Sequence, residues 1–202
     1  MDGWAHLRGF LSLAEQRALV ERCRQLMDGD VPAYVPTVRG GGRMHVRMLC
    51  LGRHWNGQKY AYEPTRSDYD NRCVPPLPDD LRSIASRAAA ASGMELDPDV
   101  AILNLYEDDG RMGLHQDKDE SAASIQSGAP IVSISLGDTA RFLFGGVKRK
   151  DPIDVHWLES GDAFVFGGAS RLRYHGVSRI VPGTVPVELG MSGRYNLTFR
   201  RY

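Results

Sequence analysis

Apolar residues recur at helical spacing in two stretches of the chain and at a period of two through most of the remainder. From Leu13 to Met27, Leu19, Val20, Cys23 and Met27 share roughly one face, as an amphipathic helix requires. Ser12-Leu13-Ala14-Glu15 is a capping box at its start, and Asp28-Gly29-Asp30 stops it. Pro78-Asp79-Asp80 opens a second helix, with Leu81, Ile84, Ala85, Ala88 and Ala89 inward and Gly93 at its C-terminus. Beyond Asp99 the period changes. Residues 101–103, 131–136, 141–144, 163–166 and 195–199 are strand-like, and Gly110, Gly137, Gly145-Gly146, Gly161, Gly167-Gly168 and Gly193 punctuate them. Short strands at this spacing indicate a sandwich or barrel. The expected fold is mainly β with flanking helices: a double-stranded β-helix (jelly roll) over about 99–201, buttressed by two N-terminal helices. A glycine-hinged region at about 31–70 covers its mouth as a lid, and the 202 residues form one domain.

Composition narrows the class. Hydrophobic residues are 42% and charged residues 25%, the ordinary balance of a soluble globular protein. No apolar run reaches bilayer length. Met1-Asp2-Gly3-Trp4 offers neither the basic nor the apolar region of a signal peptide, so a cytoplasmic protein is the expectation, and a monomer is the default where nothing in the sequence sets the oligomeric state. Cys23, Cys50 and Cys73 are scattered, odd in number and without a CxxC pair, which reads as reduced thiols and excludes a zinc–thiolate site. The net charge of zero hides an asymmetry. From Val31 to Tyr62 there is no Asp or Glu, whereas Arg39, Arg43, Arg47, Arg53 and Lys59 all fall inside, among Tyr34, Trp55, Tyr60 and Tyr62.

Two clusters carry chemistry. In His115-Gln116-Asp117 the outer residues point the same way on an extended backbone and can chelate one ion. An isolated His-x-Asp is usually a surface pair; with His175 from a later segment it becomes two His and one carboxylate. That set holds non-haem Fe(II) on one face and leaves the other open. His6, His45, His54 and His156 lack a partner at ligand spacing and are read as surface or supporting groups. The second cluster is Arg194-Tyr195-Asn196-Leu197-Thr198-Phe199-Arg200. As a strand it places Arg194, Asn196, Thr198 and Arg200 on one face, where two guanidinium forks suit the two ends of a short diacid. Asn104 and Tyr106 share a strand face just upstream and are further candidate donors.

Taken together these residues resemble the AlkB family of Fe(II)/2-oxoglutarate-dependent nucleic-acid demethylases, most closely its bacterial DNA-repair branch. The matching runs are Asn104-Leu105-Tyr106, Leu114 to Glu120, Pro130 to Gly137, Phe144-Gly145-Gly146, Gly161-Asp162, Gly167-Gly168, Arg171-Leu172, Tyr174-His175-Gly176 and Arg194 to Arg200. They occur in family order over most of residues 99–201 and weaken before Asp99. The resemblance implies that His115, Asp117 and His175 ligate iron. It implies that Arg200 and Asn104 hold the oxo-acid carboxylate beside the metal, and that Arg194, Tyr106 and Asn196 hold the distal one. It assigns Asp119 to the damaged base, Arg149 to the substrate strand, Trp55 to stacking on the base, and Tyr60 to a nearby lid contact.

The implied chemistry consumes O₂ and 2-oxoglutarate, releases succinate and CO₂, and oxidises an N-methyl group that leaves as formaldehyde. A base such as N1-methyladenine or N3-methylcytosine in single-stranded DNA is the implied substrate, with double-stranded DNA or RNA as further partners. Such a base is cationic, which gives Asp119 a physical role, and a duplex base must be flipped to reach a buried metal. A basic, aromatic lid suits a single strand. The alternatives are a related oxygenase acting on RNA, protein or a small molecule, and a binding module that keeps the jelly roll without turnover.

Overall fold

Alternation along the C-terminal strands builds the molecule in three layers. The computed structural model describes residues 3–202; the reading of Met1 and Asp2 as free of a leader lies outside the described residues. In chain order the elements are β1 (Trp4–Leu7), α1 (Leu13–Met27), β2 (Arg47–Leu51), β3 (His54–Asn56), β4 (Ala61–Glu63), α2 (Asp79–Ala91), β5 (Val100–Tyr106), β6 (Met112–His115), α3 (Ala122–Gln126), β7 (Ile131–Gly137), β8 (Thr139–Phe144), β9 (Asp154–Leu158), β10 (Ala163–Phe166), β11 (His175–Val181) and β12 (Arg194–Arg200). A six-stranded sheet runs β1-β10-β7-β12-β5-β2, a four-stranded sheet runs β6-β11-β8-β9, and β3-β4 is a separate hairpin. Every described pairing is antiparallel.

Each strand of the larger sheet divides its side chains by parity. Leu49, Leu51, Ala101, Leu103, Val132, Ile134, Leu136, Tyr195, Leu197 and Phe199 pack outward against Leu19, Val20 and Cys23 of α1 and Leu81, Ala85 and Ala88 of α2. The opposite parity faces the smaller sheet. Near β10 it supplies Phe164 and Phe166, which form an aromatic core with Phe142 and Phe144 of β8 in the smaller sheet. Towards β5 and β12 it turns polar, with Asn104, Ser133, Asn196, Thr198 and Arg200 buried there. The predicted helices are both present; the capping box holds at Ser12 and Glu15, and α2 buries Leu81, Ala85, Ala88 and Ala89 but leaves Ile84 only partly covered. No described helix is long and apolar enough to cross a membrane.

The N-terminal third contributes more to the sandwich than its sequence suggests. β1 and β2 form the two edges of the larger sheet. The span 31–70 therefore divides: Arg47–Leu51 is sheet, and the loops around it with the β3–β4 hairpin form the lid. Two expectations for this region are corrected. His54 is fully buried, with Nε2 2.6 Å from Asp68 Oδ1 and 3.2 Å from Tyr34 Oη, so it is neither a surface group nor a neighbour of the metal cluster. Tyr34 is also buried, stacked on Tyr69 at 4.5 Å, and presents no face to a ligand.

A buried arginine ties the two ends of the lid to each other. Arg66 is 1% exposed; its Nε donates to Asp70 Oδ1 at 2.8 Å and its Nη1 to the Pro32 carbonyl at 2.6 Å. Its guanidinium lies over the Tyr34 and Tyr69 rings at 5.4 and 5.2 Å. Arg66→Ala removes one partner of Asp70 and opens a cavity, but Asp70 keeps Arg72 at 3.7 Å and is 27% exposed, so Arg72 and water take part of the loss. The expected cost is about 2 kcal/mol, below the ~3–5 kcal/mol of breaking a fully buried pair. Urea unfolding measures it; an unchanged midpoint would show that Arg66 does not anchor the lid.

Candidate active site

His115 ends β6 and His175 begins β11, and the two are register partners across the smaller sheet. The strands approach closely because residue 176 is glycine: a Cβ there would meet the Met112 carbonyl at 2.6 Å and the Gly113 carbonyl at 2.9 Å. The imidazoles lie 4.4 Å apart, centre to centre. His115 Nδ1 is 2.9 Å from the Gly113 carbonyl and His175 Nδ1 is 3.0 Å from the Arg173 carbonyl. Each carbonyl requires a donor, so Nδ1 carries the proton and the Nε2 lone pair is free. Both Nε2 atoms then face Asp117, at 3.5 Å from Oδ1 and 3.6 Å from Oδ2. All three ligand atoms lie within 4.8 Å of one another. Imidazoles locked by backbone carbonyls, with free lone pairs turned on a carboxylate, are how metal-binding histidines are held. The donor set fits non-haem Fe(II).

Charge keeps the set ready for a cation. Burial opposes ionisation of Asp117, yet Arg200 and the two imidazoles hold its carboxyl well below the ordinary carboxylate range. Burial, reinforced by His115, pushes His175 down, towards the neutral ligand form, whereas at His115 burial is outweighed by Asp117, which raises that group. Arg200 Nη2 donates to Asp117 Oδ2 at 2.7 Å, and its Nε lies 3.0 Å from Glu120 Oε1. Arg171 completes the network: its Nη2 sits 2.9 Å from Glu120 Oε2, and its Nη1 donates to the Asp117 carbonyl. The two arginines therefore grip the loop between Asp117 and Glu120 from both sides. Gln116, pointing the other way, donates to the Leu172 carbonyl at 2.6 Å.

A cavity of about 420 Å³ opens from this cluster, within the size of small-molecule sites. Its walls bring together the three metal candidates, Asn104, Tyr106, Asn196 and Arg200, and also Trp55, Tyr60, Asp119 and Arg149. Burial, opposed by Arg194, pushes the Tyr106 hydroxyl up to about 12, so it remains a donor. Asn196 Nδ2 donates to Ser133 Oγ at 2.7 Å, and Thr198 Oγ1 donates to Asn196 Oδ1 at 3.0 Å. Trp55 Nε1 donates to Asp119 Oδ2 at 2.8 Å, and Trp55 meets Tyr60 edge-on at 6.0 Å. Tyr60 is 46% exposed and holds a left-handed backbone at φ 55°, unusual for an aromatic residue and typical of constrained binding loops. Arg149 Nη1 donates to the Leu114 carbonyl at 3.0 Å, and its guanidinium lies 5.7 Å from the centre of the Tyr174 ring.

Arg194 stands apart. It is 1% exposed and lies behind the wall, where Nη2 donates to Ser135 Oγ at 2.8 Å and Nη1 to the Leu158 carbonyl at 3.4 Å. Burial lowers it to about 10, which leaves it charged at neutral pH. Among the described residues, its Nε and Asn104 Oδ1 find no hydrogen-bond partner. Unsatisfied polar atoms around a cavity are costly unless a ligand or water meets them.

The lid's basic character is smaller than its composition. Lys59 pairs with Glu63 at 2.5 Å and Arg47 approaches Asp28 at 3.9 Å, so acids just outside residues 31–62 neutralise two of the five cations. Arg53 lies over the Tyr202 ring at 4.0 Å and Arg39 near Tyr60 at 5.7 Å. Sequence reading singled out neither Glu120 nor Arg171 as a site residue. The run of acids after His115 was visible, but nothing in it says which carboxylate a distant arginine meets.

A jelly roll with two histidines and one aspartate at one end, and a buried arginine beside them, defines a class: the 2-oxo-acid-dependent non-haem iron oxygenases. A family profile described as the 2OG-Fe(II) oxygenase superfamily matches residues 3–200. Within that superfamily the chain belongs to the AlkB family. It is 42% identical over 166 residues to the alpha-ketoglutarate-dependent dioxygenase AlkB of Escherichia coli, covering 80% of this chain and 74% of that protein. It is 38% identical over 221 residues to the DNA N(6)-methyladenine demethylase ALKBH1C of Arabidopsis thaliana, covering 99% of this chain and 48% of that protein. The chain thus spans about half the length of these plant relatives. The solved structure of OsALKBH1 superposes with a TM-score of 0.92 at 39% identity, covering 100% of this chain and 98% of the other.

Proposed function

We propose that this protein removes methyl groups oxidatively from the nitrogens of DNA bases, taking the base from a single strand. The observation that carries the reading is one cavity lined by both the His115–Asp117–His175 cluster and the hydrogen-bonded Trp55–Asp119 pair. The names of its relatives support it: both a dioxygenase of the AlkB type and a DNA demethylase match most of the chain.

In this reading His115, Asp117 and His175 hold Fe(II), which with O₂ and 2-oxoglutarate supplies the power to hydroxylate a methyl C–H bond. Arg200 and Asn104 hold the oxo-acid end of the co-substrate. Tyr106 and Asn196 orient its distal carboxylate, and Arg194 supplies positive charge from behind them. Trp55 stacks on the base. Asp119 gives up its bond to Trp55 and accepts from the base or offsets its positive charge. Tyr60 and Arg149 hold the flanking strand. The hydroxylated N-methyl group is a hemiaminal and releases formaldehyde unaided, so no protein nucleophile is required.

Mass spectrometry of a methylated single-stranded oligonucleotide after incubation tests the reaction; a loss of about 14 Da is expected. Oligonucleotides carrying N1-methyladenine, N3-methylcytosine or N6-methyladenine separate the substrates. The Asp119 carboxylate favours the first two, which are cationic; the name of the Arabidopsis relative favours the third. Oxidation of 2-oxoglutarate with no change in any oligonucleotide would move the substrate to another class.

Asp119→Ala separates base reading from metal support. A lost hydrogen bond to a charged group is worth about 1.5–3 kcal/mol, so demethylation is expected to fall about tenfold or more. Succinate formation without nucleic acid should change less than about twofold, because Asp119 makes no ion pair with the cluster around Asp117. Equal loss of both activities would make Asp119 a support of the metal site.

A further inference from the structure

The outer face of the smaller sheet carries a row that the proposed reaction does not use. Alternation turns Thr139, Arg141 and Leu143 of β8 outward, and the register sets Trp157 of β9 beside Arg141 and Val155 beside Leu143. On the other flank Arg179 of β11 is the partner of Arg141. An aromatic ring and two arginines thus lie side by side across three strands. Trp157 is 43% exposed and Val155 41%, and the Arg179 guanidinium lies 5.6 Å from the centre of the Trp157 ring. Arg141 Nη1 donates to Ser178 Oγ at 3.1 Å. Among the described residues no acid pairs with Arg141 or Arg179. The acids nearby are otherwise engaged: Asp154 lies 3.7 Å from Arg173, and Asp151 accepts from the Lys148 amide. One loop links the row to the cavity wall. The loop that leads from β8 to β9 carries Lys148, Arg149 and Lys150, and Arg149 lines the cavity. From Ile153, also 41% exposed, the strand runs about 13 Å to Trp157 at ~3.3 Å per residue.

We propose that this face extends the nucleic-acid track: the single strand leaving the cavity passes Lys148–Lys150 and lies across β9, with a base stacked on Trp157 and phosphates held by Arg141 and Arg179. The proposal rests on the reading of a single-stranded substrate. Exposed aromatics flanked by unpaired cations are what a flexible, uniformly charged strand with flat bases requires. A protein partner would more plainly use an apolar patch whose charges are matched at its rim, whereas the outward row itself carries only cations and Asp154 of β9 lies beside Arg173.

The test compares methylated single strands of 5 and 15 nucleotides, each with the modified base central, by fluorescence anisotropy and by formaldehyde release. The variants are Trp157→Ala and the double replacement Arg141→Gln with Arg179→Gln, all at positions outside the cavity. Wild-type protein is expected to bind the longer strand more tightly. Trp157→Ala should weaken that binding fivefold or more, the least expected from losing one base–aromatic stack. The double variant should lower the slope of log affinity against log salt by about 1.4, for two phosphates at ~0.7 each. Turnover of the 5-mer should stay unchanged in both, which also reports an intact fold. Unchanged affinity for the 15-mer in both variants overturns the track. So does a wild-type affinity that does not grow with length, and either result leaves demethylation of the 5-mer standing. A dimer in wild-type protein that sediments as monomer in Trp157→Ala would assign the face to a second copy and overturn it as well. If wild-type protein acts on neither oligonucleotide while oxidising 2-oxoglutarate, the proposed substrate fails first.

Discussion

Asp117→Ala is expected to abolish turnover and iron retention while leaving the fold intact. Asp117 is the single carboxylate between two imidazoles whose Nδ1 protons are fixed by carbonyls. Without it the nitrogens remain, but only two of three ligands do. Loss of a residue that merely supports a ligand costs about 10–100-fold, so a reduction beyond about 100-fold is expected for a ligand itself. The fold should survive because Arg200 keeps Glu120 at 3.0 Å, and its charge is not left alone. Asp117→Asn is the sharper control. The amide oxygen can still accept from Arg200, so the cluster keeps its shape, but the negative charge that holds the cation is gone. Iron binding followed by equilibrium dialysis, together with succinate formation, measures both. Tight iron retention and full activity in Asp117→Ala would remove Asp117 from the ligand set.

Why this centre can be read from sequence while its surroundings cannot follows from the range of each signal. His115 and Asp117 are two residues apart, and the face of β12 repeats every two, so strand geometry alone aligns Arg194, Asn196, Thr198 and Arg200. Their burial was legible too: the odd positions Tyr195, Leu197 and Phe199 are apolar and turn to the helices. Strands that break alternation escaped. β11 carries Gly176, Ser178 and Arg179 and shifts register between His175 and Arg179. β9 is an edge strand whose exposed residues include Val155 and Trp157, so its apolar positions face outward. β1 is four half-buried residues without a clear face. The lid misled for the opposite reason. Its cations and aromatics are all present, but Glu63, Asp68 and Asp70, just past the acid-free stretch, fold back on it and bury His54 and Arg66. A count along the chain cannot anticipate pairing across it.

The same distinction shapes the second large effect, at Arg200. Burial works against its charge, but Asp117, Tyr62 and Glu120 raise it, so it stays a cation at any accessible pH. Among the described residues, Arg200→Ala leaves Asp117 and Glu120 buried with Arg171 as their one close arginine. Removing one member of a buried charge network is expected to destabilise the metal-free protein by about 3 kcal/mol. Metal binding should recover part of that loss, because a divalent cation beside Asp117 supplies the missing positive charge and stabilises whichever state binds it. Arg200 also competes for Asp117 Oδ2, which it holds at 2.7 Å. Its removal frees that oxygen, so metal affinity should hold or rise while the KM for 2-oxoglutarate rises about tenfold or more through the lost charge-assisted contact. Arg200→Lys divides the two roles. It keeps a charge near Asp117 and should restore most of the stability, but a point charge lacks the planar fork that grips a carboxylate, so the KM should stay high. Thermal unfolding with and without metal, alongside KM for the oxo acid, measures all of this. A KM unchanged in both variants, with stability lost, would make Arg200 a brace for the Asp117–Glu120 loop and leave the co-substrate to Arg194 and Asn104.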